Sequence, residues 1–292
     1  MNFLQPMRFK YPRIIFLLAV LNFFVFSCSS NGFNAENALS HIETQVSVGP
    51  RIPGSTGSEE FQMILSSHLT NLGWDVERQD FSYKNTVGTN IIAKNSANPP
   101  STIIGTHYDT RAISDNDPDE NLQSVPVPGA NDGASGTAVL MELSRLLSND
   151  QESIWLVFFD AEDQGHLNGW DWSVGADYFA DHLSTPPEEV IIIDMIGDID
   201  LNIHYEANSS PVMSENIWEI AHDLGYGEAF IKEVKYSIMD DHIPFIHRGI
   251  PAILIIDLDY EKWHTTQDDL DHISKESLQK VGEVLLTYLN KD

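Results

Sequence analysis

Five short apolar runs, at residues 90–93, 102–106, 154–159, 190–196 and 252–256, are continuous rather than alternating. A continuous run suits a strand buried on both faces, whereas alternation marks a strand with one wet face. Segments of helical period lie between and around these runs. Residues 58–72 place Phe61, Ile64, Leu65, Leu69 and Leu72 on one face, and Gly73 ends the pattern. Further helices are expected at 136–147, 176–183, 214–224 and 275–289, and a proline-containing loop at 114–128. The alternation predicts an α/β three-layer sandwich, a mostly parallel central sheet with helices on both faces. A chain of 292 residues, 42 % hydrophobic, can form this as a single domain, expected here over residues 37–292. Ligands of such sheets bind beyond the carboxyl ends of the strands.

The amino-terminal residues carry a different pattern. Arg8, Lys10 and Arg13 precede an apolar run over 14–26, too short to span a bilayer as a mature anchor. The run ends in Val25, Phe26, Ser27 and Cys28, which resembles the lipobox of bacterial lipoproteins. Residues 1–28 are therefore expected to be a lipoprotein-type export signal, followed by a polar linker over 29–36. The implied product is an exported lipoprotein held to a membrane through lipidated Cys28. Since Cys28 is the only cysteine, no disulfide can form within the chain. The formal net charge of −28 repels nucleic acid and anionic membrane, which excludes nucleic-acid partners, while tolerating cationic ligands such as a free amino terminus.

Acids and histidines gather where the strands end: His107 and Asp109, Asp132 in GANDGASG, the pair Glu162 and Asp163, Asp194 in IIIDMIG, and His264 in KWHTTQDD. A lone strand-end aspartate more often caps a helix or anchors a turn. Carboxylates and imidazoles converging from separate strand ends are what a zinc site with an open position requires. The adjacent acids are the most informative. At a bend one of two neighbouring carboxylates can bind metal while the other stays free to move a proton.

The strings GTHYDT, PGANDGASG, FFDAED, DMIG, DDHIPF and WHTTQDD, in that order, resemble the animal-type glutaminyl cyclases and their bacterial relatives, within the zinc aminopeptidase superfamily. The resemblance implies zinc held by Asp132, Asp163 and His264, with Glu162 as acid/base and Asp240 in its hydrogen-bond network. Trp263 would wall the pocket for the glutamine side chain, with Trp172 and Tyr260 as further wall positions. His107 and Asp194 match residues that hold a second zinc, bridged by Asp132, in the aminopeptidases. Asp163 stands where the animal cyclases carry glutamate, one methylene longer.

Two enzymes fit this set. A one-zinc cyclase would convert the amino-terminal glutamine of a peptide or protein to pyroglutamate with loss of ammonia, Glu162 moving the proton. A two-zinc aminopeptidase would hydrolyse amino-terminal residues with the same Glu162. The paired acid in DDHIPF and Trp263 tilt the choice towards the cyclase. A third reading is a binding lipoprotein that keeps the fold without catalysis. Mixed carboxylate and imidazole ligands suit zinc, and would also accept cobalt or manganese.

Overall fold

A computed structural model describes residues 1–2, 32–148 and 152–290. The expected export signal beyond its second residue, with Cys28, lies outside the described residues. In chain order the elements are α1 (Ala35–Ser47), α2 (Thr56–Asn71), β1 (Asp75–Tyr83), β2 (Thr86–Lys94), β3 (Thr102–His107), α3 (Ala134–Leu147), β4 (Ile154–Phe159) and α4 (Val174–Asp181). They continue with β5 (Glu189–Asp194), β6 (Ile203–Glu206), α5 (Pro211–Asp223), β7 (Phe230–Tyr236), α6 (Ile243–His247), β8 (Ala252–Ile256) and α7 (Lys275–Leu289).

Six strands form one sheet in the order β1-β2-β4-β3-β5-β8. β3 pairs in parallel with β4 and β5, and β5 with β8. β2 runs antiparallel to β4 and to β1, so the parallel part is the centre and one edge. β6 and β7 make a separate parallel pair.

The continuous runs are buried on both faces because successive residues feed two different cores. Ile104, Leu156, Phe158, Ile191, Ile193, Ile253 and Ile255 pack against α1, α2, α3, α5 and α7. Their neighbours Ile103, Val157, Phe159, Ile192 and Leu254 pack against α4 and α6. That is the expected three-layer α/β sandwich. α3 is buried nearly all round, which fits an apolar helix at the centre of the thicker layer.

The expected linker end at residue 36 needs correction. Phe33 is 6 % exposed and its ring lies against Gly282 of α7, where a side chain would collide with it. Asn34 caps α1 by accepting from the N–H groups of Glu36 and Asn37, and its own N–H donates to Glu142. The domain is thus anchored from Phe33, four residues before the expected boundary at 37. Asn34 in that stretch serves as a helix cap.

β4 and β5 lie on either side of β3, so the chain reverses its direction of winding there. Such a switch point leaves a crevice beyond the carboxyl ends of β3, β4 and β5.

Candidate metal centre and active site

His107 is the last residue of β3, Asp194 the last of β5, and Glu162 and Asp163 follow β4. Asp132 reaches the crevice because its loop is glycine-rich. Gly133 has φ of +88°, and a Cβ there would sit 2.5 Å from the Asp109 carbonyl oxygen. A Cβ on Gly136 would sit 2.3 Å from Thr106 Oγ1, so α3 starts hard against β3 only because that position is bare. His264 is itself left-handed, with φ of +58°.

These residues come together. Donor atoms of Asp132, Asp163 and His264 lie within 4.8 Å of one another, as do those of His107, Asp132 and Asp194, and all are buried. His264 Nε2 is 2.9 Å from Asp163 Oδ1 and 3.7 Å from Asp132 Oδ2. His107 Nε2 is 3.1 Å from Asp132 Oδ1 and 3.0 Å from Asp194 Oδ1. Asp132 Oδ2 and Asp163 Oδ2 are buried with no hydrogen-bond partner. An unpaired buried carboxylate oxygen is costly unless a cation meets it. The residues therefore fit a zinc ion in chemistry and in unfilled valence.

The bend that separates Glu162 from Asp163 has a definite cause. Ala161 turns the chain with φ of +62°, and the Asp109 carboxylate then accepts from the N–H groups of Glu162 (3.0 Å) and Asp163 (3.2 Å) and from Gln164 Nε2 (3.2 Å). With both backbones pinned, Asp163 faces His264 while Glu162 accepts from the Ser173 hydroxyl at 3.3 Å. A cavity of about 270 Å³ opens over the set, lined by Glu162, Asp163, Asp194, Asp240, Trp172 and Trp263 among others.

Burial pushes the Glu162 carboxyl well above its ordinary range, and repulsion from Asp240 and Asp241 adds to this against attraction from His107. Burial, with repulsion from Asp194, lifts Asp240 to about 7. Burial, with repulsion from Asp132, lifts Asp163 to about 7. Burial alone would lower His264, but Asp163 and Asp115 outweigh it and hold the imidazole at about 9. Shifts of this kind gathered in one crevice mark functional sites.

Trp172 and Trp263 line the cavity. The Trp263 ring centre is 3.9 Å from that of His264, and the Trp172 ring is nearly parallel to the imidazole at 6.1 Å. Tyr260 does not line the cavity. It is 4 % exposed, its ring belongs to the α4/α6 core, and its hydroxyl donates to Asp268 at 2.8 Å. Its placement next to the WHTTQDD loop is what made it look like a wall residue.

Several supporting residues escaped sequence reasoning. Asp268 accepts from the N–H groups of Asn131 and Asp132, fixing the Asp132 loop. Arg51, fully buried, donates to the carbonyls of Tyr108, Pro128 and Gly129 and ties that loop to β3. Arg111 holds Asp115 through two 2.7 Å bonds, and Asp115 Oδ1 lies 3.4 Å from His264 Nδ1. Asp109 and Asp268 stood in the quoted motifs. Arg51 had no signal beyond being a basic residue in an acidic chain.

Fold and donor set together define a zinc-dependent enzyme. The sequence profile of peptidase family M28 matches residues 90–289, and the chain belongs to that family. Aminopeptidase YwaD of Bacillus subtilis is 30 % identical over 226 residues, 70 % of this chain but 44 % of that protein, so the chain spans less than half of it. A glutaminyl-peptide cyclotransferase of Boiga irregularis is 26 % identical over 82 % of this chain and 78 % of its own length. Among solved structures, Porphyromonas gingivalis glutaminyl cyclase is similar with a TM-score of 0.84 and 31 % identity, covering 88 % of this chain and 98 % of that one. A Zn-dependent exopeptidase from Parabacteroides distasonis is similar with a TM-score of 0.83 and 30 % identity, covering 89 % and 99 %.

Proposed function

We propose that the chain is a zinc-dependent glutaminyl-peptide cyclotransferase, turning an amino-terminal glutamine into pyroglutamate with release of ammonia. The observation that carries this is Glu162: a buried carboxylate, not needed as a ligand, beside a complete donor trio in a cavity walled by two tryptophans. The two indoles give the cavity flat apolar faces against which a small amide side chain can pack. The likeness to the P. gingivalis enzyme over nearly its full length supports the same reading.

Zinc held by Asp132, Asp163 and His264 would supply positive charge that polarises the side-chain amide carbonyl. The neutral terminal amine attacks the amide carbon with its lone pair, and Glu162 takes the proton that this nitrogen sheds as the new C–N bond forms. Ring closure then breaks the bond from that carbon to the amide nitrogen, and Glu162 returns the proton so that nitrogen leaves as ammonia. Its raised affinity for protons makes it a stronger base than an exposed glutamate, and Asp240 beside it keeps it so. Trp172 and Trp263 exclude water, which would otherwise hydrolyse the amide.

The second trio and the Bacillus relative favour one alternative, a two-zinc aminopeptidase. Metal analysis with two assays separates them. One zinc per chain with ammonia release from glutaminyl peptides supports the cyclase, and two zincs with hydrolysis of an aminoacyl anilide overturns it. We infer from residues 25–28 that the protein is exported and anchored through Cys28. Cys28→Ala should move it from the membrane to the soluble fraction, and unchanged fractionation would refute the anchor.

A further inference from the structure

The cavity over the metal trio does not end at Trp172. A second cleft of about 460 Å³ shares Trp172, Met239 and Asp240 with it and runs on towards the end of β1 and α4. The two spaces are therefore stages of one path. A peptide whose amino terminus sits beside Glu162 has its following residues led past Met239, which is 61 % exposed at the shared rim, into this cleft.

The cleft has a definite chemistry. Tyr83, Trp170 and Tyr178 supply aromatic faces, the first two packed edge to face with centroids 5.1 Å apart. Asp171, Asp177 and Asp181 supply carboxylates along the same wall. The charges opposing them are few. Arg248 pairs with Asp177 at 3.1 Å and also with Asp181, the ammonium of Lys84 lies 5.5 Å from the Tyr83 ring centre and is held by the Gly169 carbonyl, and His166 and His247 also line the cleft. Among the described residues Asp171 accepts only from the neutral hydroxyl of Tyr83. Negative charge thus exceeds positive in a cleft with π faces, which is the setting that attracts an ammonium or guanidinium.

We propose that this cleft is the subsite for the residues following the amino-terminal one, and that it selects peptides carrying lysine or arginine within the first few of those positions. The proposal rests on the metal-site cavity being the seat of a free amino terminus, which both enzyme readings require. Asp171 and the aromatic faces would contact the cationic side chain directly.

The test is calorimetric binding to the full chain carrying zinc, with Glu162→Gln to keep peptides unconverted. The probes are two amidated tetrapeptides, Gln-Ala-Lys-Ala and Gln-Ala-Glu-Ala. The lysine peptide should bind at least about tenfold more tightly at low salt, with the advantage shrinking as ionic strength rises. Because the whole surface is acidic, general attraction must be separated from the cleft. Asp171→Asn should cut the ratio of the two dissociation constants about threefold or more. Glu219→Gln, on an exposed face of α5 in the other helix layer, should leave the ratio intact. Equal affinities, no binding of either peptide, or equal effects of the two substitutions would each overturn the proposal. Whether the unmodified chain cyclises either peptide is a separate reading, so failure of the cyclase assignment and failure of the subsite remain distinct.

Discussion

The two donor trios share Asp132 and the same strand-end origin, yet they are built differently. In the first, His264 is backed on its far nitrogen by Asp115, which Arg111 grips with two nitrogens, and the unpartnered oxygens Asp132 Oδ2 and Asp163 Oδ2 lie on this side, the former 3.7 Å from His264 Nε2. In the second, His107 Nε2 is clasped between Asp132 and Asp194, while His107 Nδ1 has no hydrogen-bond partner. The nearest acid behind it, Asp109 at 3.5 Å, is occupied with the N–H groups of Glu162 and Asp163. Imidazole and carboxylate lie in contact in both trios, at 2.9 Å in the first and at 3.0 and 3.1 Å in the second, but a ligand oriented from behind holds metal more tightly, which favours the first. Trios of like composition thus differ in how their imidazoles are supported.

The sharpest way to break that contrast is His264→Ala. It should remove the zinc, abolish turnover and forfeit the stabilisation that bound metal gives, about 2.7 kcal/mol at a hundredfold excess over Kd. Metal analysis and melting with and without chelator check this, and an unchanged zinc content would erase the distinction between the trios. Glu162→Gln should keep the metal but slow turnover by about 10²–10⁴. Retained turnover would show that another group moves the proton. Asp115→Asn touches only the support of His264 and should weaken zinc binding by about 10–100-fold with the fold intact. His107→Ala should lower activity least and leave one zinc per chain. A fall from two zincs to one would reveal the second trio as a working site.

A pH series sharpens the same contrast. Burial raises Asp160 to about 8 and Asp163, Asp240 and Asp268 to about 7. Acids with raised folded-state pKa stabilise fully below their unfolded value, and that stability is lost as pH rises through the folded one. In chelator the melting temperature should therefore fall between about pH 5 and pH 8. Zinc should reduce that fall, because it favours the ionised form of Asp163. A melting temperature in chelator that rises over this range would contradict the buried-acid account.

The sequence announced the strands of the crevice because each is a continuous apolar run closed by an acid or imidazole. It was silent on α1, whose buried Ala35, Ala38, Ile42 and Gln45 share one face but, as two alanines and a glutamine beside a single isoleucine, give that face little apolar contrast. β1 was equally hidden, since Phe81 is its one buried residue. Within the candidate site, the strand-end acids and imidazoles were legible as motifs, and the contacts that hold them in place were not. Asp109, Asp115 and Asp268 act by accepting from backbone or imidazole N–H groups, and that role leaves no spacing in the chain. Tyr260 shows the converse error: a residue beside a site loop can face the core.

One carboxylate, that of Asp109, fixes the main chain on both sides of the link between base and ligand. A change in the length of the metal-binding side chain at position 163 is thereby decoupled from the aim of Glu162. Lengthening Asp163 to glutamate would shift where the cation rests without redirecting the proton carrier. The crevice can thus drift in ionic geometry while its acid–base chemistry stays in register.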